Sequence, residues 1–436
     1  MNSHSLWVNT IQRFLRVKPY EIRAVLWSFL YFFSLLCAYY IIRPMRDEMG
    51  VAGGVENLQW LFTGTFFVML AAMPLFGWVT SRFSRKQFLP YVYYFFISNL
   101  LIFYFLFELD WSPVYIARAF FIWASVFNLF VVSVFWSFMT DLYTDTQAKR
   151  LFGFIAAGGT VGALTGPALT AVLAIPLGGM NLLLLSALFL GCAVLCIQRL
   201  IAWNQHSEDA SQSSQKNLSV KSQPLGGSVI AGIQLVVKSP YLIGICFLML
   251  LFTALATFLY FQQAQIIRDA FSDPNERTAV FAAIDFAVNA LTILLQVFLT
   301  GRLISWIGLK WTLALVPVLL GVGFLVIGFS PILAVLVVVQ VVRRAGNYAI
   351  MRPAREMLYV VLSREEKYKA KNFIDTVVYR GGDAVSSWIY TGLKSIGLSL
   401  GAIAWTAVPL AAIWAVVAYW LGKRQSELAT HQETRT

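Results

Sequence analysis

Residues 151–198 read LFGFIAAGGTVGALTGPALTAVLAIPLGGMNLLLLSALFLGCAVLCIQ, 48 positions without one Asp, Glu, Lys or Arg. A helix crossing the hydrocarbon core needs about 20 apolar residues, so the stretch is too long for one span and holds two. The break falls at Pro176-Leu177-Gly178-Gly179, where proline and paired glycines interrupt a helix and favour a turn. Two apolar helices joined by so short a turn run antiparallel through one bilayer. The fold class follows: an all-α chain that crosses a membrane repeatedly.

The whole chain agrees. Of 436 residues 59% are hydrophobic and 12% charged, against about 45–50% and 25% in soluble domains. Such a composition excludes a water-soluble enzyme, a disordered chain and a disulfide-stapled secreted domain. Cys37, Cys192, Cys196 and Cys246 all lie in apolar runs, so no disulfide framework is expected. The histidines His4, His206 and His431 fall outside the apolar stretches, which leaves no intramembrane His relay or His-based metal site. There is no GxxxxGK[ST] phosphate cradle, metal-ligand cluster or Ser/His/Asp set. No enzyme, catalytic residue, metal or cofactor is expected.

Further stretches free of Asp, Glu, Lys and Arg are 24–42, 57–81, 87–107, 119–140, 239–267, 311–342 and 395–422. Ala24–Ile42 is too long for a signal peptide core and is followed by Arg43-Pro44 instead of a small-residue cleavage site. With 151–198 split in two there are nine clean spans. Three more are interrupted by charge: 278–300 (Asp285), 331–351 (Arg343, Arg344) and 372–393 (Asp375, Arg380, Asp383). The total is twelve transmembrane helices.

The formal charge of +12, from 33 Lys+Arg and 21 Asp+Glu, tests the topology. With both termini cytoplasmic, 24 of the cations fall on the cytoplasmic side, six on the other and three inside helices. That is the positive-inside bias of a multi-pass plasma (bacterial inner) membrane protein, and it removes the need for nucleic acid as a partner. Residues 204–228, Ser/Gln-rich and without periodicity, read as a flexible linker, followed by a short surface helix near 228–237. The expected organisation is an N-terminal six-helix half (1–203), a cytoplasmic linker with that helix (204–240), and a C-terminal six-helix half (241–436).

Charges inside the spans mark the candidate site, since each costs at least about 2.5–3.5 kcal/mol at the membrane centre and is usually functional. All of them are expected in the carboxyl half. Arg343 lies ~18 Å from the outer end of its span, and Arg380 and Asp383 lie ~14 and ~18 Å from the cytoplasmic end of theirs. Arg380 and Asp383, three apart, share a helix face. Arg343, Arg344, Arg380 and Asp383 together carry +2, which suits an anion, because guanidinium binds carboxylate and phosphate bidentately. The alternative is ion pairing among themselves and with Asp285. One string recurs: Arg43-Pro44-Met45-Arg46-Asp47 after the first span and Arg352-Pro353-Ala354-Arg355-Glu356 after the tenth. These cation clusters at opposite faces can attract an anion or serve as interfacial anchors. The small-residue run Gly158–Pro167 is read as close helix packing, with no substrate contact.

Two six-helix halves resemble major facilitator transporters, whose site lies near the midplane between repeats. The loop Gly77-Trp78-Val79-Thr80-Ser81-Arg82-Phe83-Ser84-Arg85-Lys86 resembles that superfamily's G-x-x-x-D-R-x-G-R-K/R, with a degenerate echo at Gly301-Arg302 and Gly308-Leu309-Lys310. Within that fold the chain resembles the ATP/ADP translocase family of nucleotide exchangers. The likeness is carried by Ile41-Ile42-Arg43-Pro44-Met45-Arg46-Asp47, by Phe135-Trp136-Ser137-Phe138 with Ala148-Lys149-Arg150, and most specifically by Pro353-Ala354-Arg355-Glu356-Met357-Leu358-Tyr359 with Lys369-Ala370-Lys371-Asn372-Phe373-Ile374-Asp375. The resemblance implies that Arg46 and Arg355 stand where the family carries substrate-linked lysines. Pro44 replaces an aspartate of the family, and Trp123-Ala124-Ser125-Val126 lacks its fourth-helix acid.

The expectation is a secondary transporter moving a small anionic, phosphorylated metabolite of nucleotide type by alternating access. Arg46, Arg343, Arg344 and Arg355 bind the substrate, while Asp285, Asp375, Arg380 and Asp383 are coupling or ion-pair candidates. The other readings are proton-coupled transport of another small solute and, more remotely, a lipid-handling membrane protein. The lipid bilayer is the surrounding partner.

Overall fold

The computed structural model describes residues 20–82, 85–110, 112–211 and 229–433. His4, Arg13, Arg16, Lys18, Phe83, Ser84 and residues 212–228 of the linker lie outside them, as do the side chains of 76–88, His206 and His431. The helices are α1 (Ile22–Ala52), α2 (Leu58–Arg82), α3 (Arg85–Glu108), α4 (Pro113–Leu142), α5 (Asp145–Leu177), α6 (Asn181–Ser211), α7 (Val229–Lys238), α8 (Pro240–Ala270), α9 (Pro274–Leu295), α10 (Gly301–Phe329), α11 (Leu333–Gly346), α12 (Arg352–Leu358), α13 (Arg364–Phe373), α14 (Tyr379–Ser395) and α15 (Leu400–Glu433). Three π-helical turns join consecutive helices: Gln296–Thr300, Asn347–Met351 and Ile374–Val378.

Among the described residues, ten helical segments are long and apolar enough to cross a bilayer. One of them, Pro274–Phe329, has 56 residues and breaks at Gly308, where φ is +73°. Only glycine adopts that conformation without a steric penalty, so the segment counts as two spans. The charged run α13–α14 adds the twelfth. Large apolar side chains such as Phe67, Phe95, Val172 and Phe298 are exposed, as on a lipid-facing surface. The chain is an all-α, multi-pass membrane protein of twelve spans.

Local chemistry sets the helix ends. Pro113 and Pro240 open α4 and α8 at the first turn, where the missing N–H costs nothing. At α13, Ser363 and Glu366 form a reciprocal capping box, with Glu366 N–H donating to Ser363 Oγ at 3.3 Å and Ser363 N–H to Glu366 Oε2 at 3.1 Å. The Pro176–Gly179 break is observed: α5 ends at Leu177 and Gly178 has φ +79°.

Other boundaries differ from expectation. The first span does not stop at Ile42; α1 runs through Pro44 to Ala52, so Arg43 and Arg46 lie on the helix. A single proline removes one hydrogen bond but does not end a helix whose flanks are packed. Helix α6 continues past 204 to Ser211. The echo loop 301–310 is helical up to a turn at Gly308.

The chain divides into two compact units, one of Met1–Met49, Ala71–Ser222 and Pro274–Ala283, the other of Gly50–Leu70, Gln223–Asp273 and Ile284–Thr436. In the first, the glycine run of α5 packs on α1. A Cβ at Gly158, Gly162 or Gly166 would come within 2.4, 2.4 and 2.8 Å of the carbonyl oxygens of Phe29, Phe33 and Cys37, so only glycine allows these backbones to approach. Tyr31, Tyr93, Phe135 and Phe138 fill the adjoining core, and the two tyrosine hydroxyls share a 2.6 Å hydrogen bond. In the second unit α10 lies along α15. A Cβ at Gly401 would meet Gly328 O at 2.8 Å and one at Gly422 would meet Lys310 Cα at 2.4 Å.

Candidate functional site

In the second unit, α11 carries Gln340, Arg343 and Arg344. Residues three apart share a helix face, and Arg343 Nε donates to Gln340 Oε1 at 3.1 Å. Gln340 in turn donates through Nε2 to Gln263 Oε1 of α8. Both amides are only 2% exposed. Arg344 sits one residue further round the helix, and its Nη2 lies 2.6 Å from Asp285 Oδ1 of α9, with the two side chains 7% and 1% exposed. Asn289 and Thr292, on the same face of α9 as Asp285, are buried as well. The acid is close enough to neutralise Arg344 in place.

Residues of α14 complete the cluster. Arg380 Nη1 lies 3.7 Å from Asp383 Oδ2, and the guanidinium sits 5.4 Å from the centre of the Tyr379 ring. Thr257 of α8 donates its hydroxyl to Asp383 Oδ1 at 3.4 Å. The charges of Asp383, Arg380 and Arg343 all act on the Tyr379 phenol.

A second group lies one π turn further along each helix. Arg355 of α12 pairs with Asp375 at 3.3 Å and donates to Met249 Sδ at 2.6 Å. Lys371 pairs with Glu356 at 2.6 Å and stands over the Tyr359 ring. Burial, and then the charge of Asp375, pushes the Tyr359 phenol well above its ordinary value.

The first unit has its own polar cluster on α1. Arg46 pairs with Asp47 at 3.0 Å and lies 4.6 Å over the Phe121 ring; Arg43 lies 5.8 Å from the Tyr40 ring. Beside them Arg277 clamps Glu48 through two bonds of 2.7 Å, with the carboxylate 1% and the guanidinium 11% exposed. Buried charge therefore is not confined to the carboxyl half. Glu48 and Arg277 escaped sequence reading because each lies at the edge of a span and they are 229 residues apart. At the other end of α1, buried Glu21 accepts from Gln147 at 2.9 Å and Arg150 at 3.0 Å.

The structure thus divides the expected site residues. Arg343 is bonded to Gln340, Arg380 stands beside Asp383, Arg344 is directed to Asp285, Arg355 to Asp375, and Arg46 stands in the α1 cluster. Gln263, Gln340 and Thr257 were not foreseen. Their signal was present as uncharged polar groups inside otherwise apolar spans, which carry a smaller version of the penalty that singled out the charges. Among the described residues no group of His, Cys, Asp and Glu is placed to hold a metal ion.

Residues 24–351 match the profile of the Major Facilitator Superfamily. The chain belongs to that superfamily. Among proteins of known name, this major facilitator protein is 23% identical to ADP,ATP carrier protein 1 of Chlamydia muridarum (strain MoPn / Nigg) over 470 residues, covering 93% of this chain and 88% of the carrier. It is 22% identical to ADP,ATP carrier protein 1 of Chlamydia trachomatis serovar D, with the same coverage. The likeness first read from short motifs extends over nearly the whole sequence. Among solved structures, a bacterial homologue of the iron transporter ferroportin superposes with a TM-score of 0.62 at 12% identity, covering 92% of this chain and 98% of that one. That likeness establishes the fold.

Proposed function

We propose that this major facilitator protein moves a nucleotide-type phosphorylated anion by alternating access, as an exchanger in a bacterial inner membrane with both termini in the cytoplasm. One observation carries the reading. In the unit that holds α11 to α14, the guanidinium groups of Arg343, Arg344, Arg355 and Arg380 sit on membrane-spanning helices opposite the carboxylates of Asp285, Asp375 and Asp383. These four cations and three acids together carry a net charge of +1, and the neighbouring Lys371 and Glu356 pair with each other. Intramembrane arginines are retained at a cost unless they serve a substrate or pathway, and a phosphate can take over from a carboxylate the bidentate geometry that guanidinium favours. The similarity to ADP,ATP carriers supports a nucleotide as that phosphate. The test is counterflow: proteoliposomes loaded with ADP accumulate labelled ATP from outside. Absence of counterflow for all common nucleotides removes the nucleotide from the proposal.

A second reading, proton-coupled movement of another small solute, is favoured by Asp383. It lies inside a span, 3.7 Å from Arg380 and 3.4 Å from Thr257, and an intramembrane carboxylate is a common proton relay. Uptake driven by a pH gradient alone, and lost in Asp383→Asn, supports that reading; exchange indifferent to pH counts against it.

A further inference from the structure

Two buried glutamines have no part in the reading above, and their position gives them one. A primary amide in an apolar interior costs about 1–3 kcal/mol unless its groups are bonded. Here α8 and α11 each bury one, 2% exposed, and the two are joined in series: Gln263 accepts from Gln340 Nε2, and Gln340 Oε1 accepts from Arg343 Nε. The order matters. An amide side chain can rotate by half a turn and exchange its oxygen for its nitrogen. With Gln263 presenting its oxygen, Gln340 is held with nitrogen toward α8 and oxygen toward Arg343. A guanidinium has five N–H donors in one rigid plane, so fixing the one on Nε sets the plane and the direction of the two Nη groups.

The same helix contains an internal comparison. Gln262, the neighbour of Gln263, is equally buried but donates to the carbonyl of Leu400 at 3.0 Å. It belongs to the contact with α15. Two adjacent amides on α8 therefore differ in direction while sharing burial and chemistry.

We propose that Gln263 and Gln340 are positioning residues for Arg343: an amide relay from α8 that holds the guanidinium oriented to receive the anionic substrate. The inference rests on the transport reading above. It assigns the relay to substrate affinity, and Gln262 to packing alone.

The test uses the full chain in proteoliposomes, with initial rates of ADP uptake and thermal midpoints in detergent. Gln340→Leu and Gln263→Leu each raise the KM for ADP about tenfold while the maximal rate stays near that of the parent, as loss of ground-state binding requires. The double variant is no worse than the more affected single one, because both changes cut the same chain. Gln262→Leu lowers the midpoint but leaves the KM unchanged. Gln340→Glu keeps the length and one acceptor oxygen, and it serves where a leucine variant does not assemble. Its carboxylate partly neutralises Arg343, so the KM rises more for ATP than for AMP. Lower midpoints with unchanged KM in the Gln263 and Gln340 variants overturn the relay, and so does a Gln262→Leu variant that shifts KM as they do. In Gln340→Glu, equal KM changes for ATP and AMP overturn it as well. A parent protein that takes up no nucleotide overturns the transport reading and the relay together. Uptake by the parent with an unaffected KM in the variants overturns the relay alone.

Discussion

Arg43-Pro44-Met45-Arg46-Asp47-Glu48 and Arg352-Pro353-Ala354-Arg355-Glu356-Met357 share a string of residues and little of its structure. In the first, proline lies well inside the continuous helix α1, and the string ends in Glu48, buried and clamped by Arg277. In the second, proline stands in the first turn of α12, directly after a π turn, and Met357 occupies the place of the buried acid. Its acid, Glu356, faces outward to Lys371. Proline has no N–H for the carbonyl four residues earlier. For Pro353 that carbonyl belongs to Ala349, and Thr300, in the π turn after α9, donates its hydroxyl to it at 2.7 Å. The two strings differ because their neighbours differ. Motif identity fixes which groups are present, and the partners set what those groups do.

The two strings part most sharply at Glu48. Glu48→Ala leaves Arg277 buried without its carboxylate, and loss of one partner of a buried pair costs about 3–5 kcal/mol. Calorimetry in detergent registers the fall; a change near zero makes the two strings energetically alike. Smaller, and more specific, is Thr300→Val, which orphans the Ala349 carbonyl and costs about 1–2 kcal/mol. Pro353→Ala restores a backbone donor for the same carbonyl, so in that background the threonine is nearly silent. A double-mutant cycle in which the two changes simply add would remove the link between proline and threonine. The smallest effect belongs to Lys371→Ala. Its pair with Glu356 is 32% and 45% exposed, and such pairs contribute about 0–1 kcal/mol. A loss as large as that of Glu48→Ala would put the second string on the same footing as the first.

The spans were legible because a bilayer demands long apolar runs, and the turn at Pro176–Gly179 was legible because glycine and proline punctuate helices. The cations of the site were legible for the opposite reason, as groups an apolar span excludes. Partners were legible only in part. Pairing with Asp285 stood as one alternative, but nothing local announces that Arg344, 59 positions away, is the arginine that takes it, or that Glu48 meets Arg277; these choices are properties of packing. The continuation of α1 through Pro44 was also hidden, since proline reads as a breaker until its flanks are seen to be packed. Gln263 and Gln340 were visible as letters but not as a chain, because an amide carries no charge to draw notice.

The π turns have a consequence for how these helices are drawn. Each accommodates one residue more than an α-helical turn and re-phases everything beyond it by about 100°. On an uninterrupted wheel through 333–358, Arg344 and Arg355, 11 positions apart, would fall on one face. With the turn Asn347–Met351 between them they do not, and each finds an acid on a different helix. The turn acts as a vernier between two rulings of the same rod. Deleting one residue inside it would be felt as a rotation of the whole segment beyond it, carrying Arg355 away from Asp375 while leaving Arg344 where it stands.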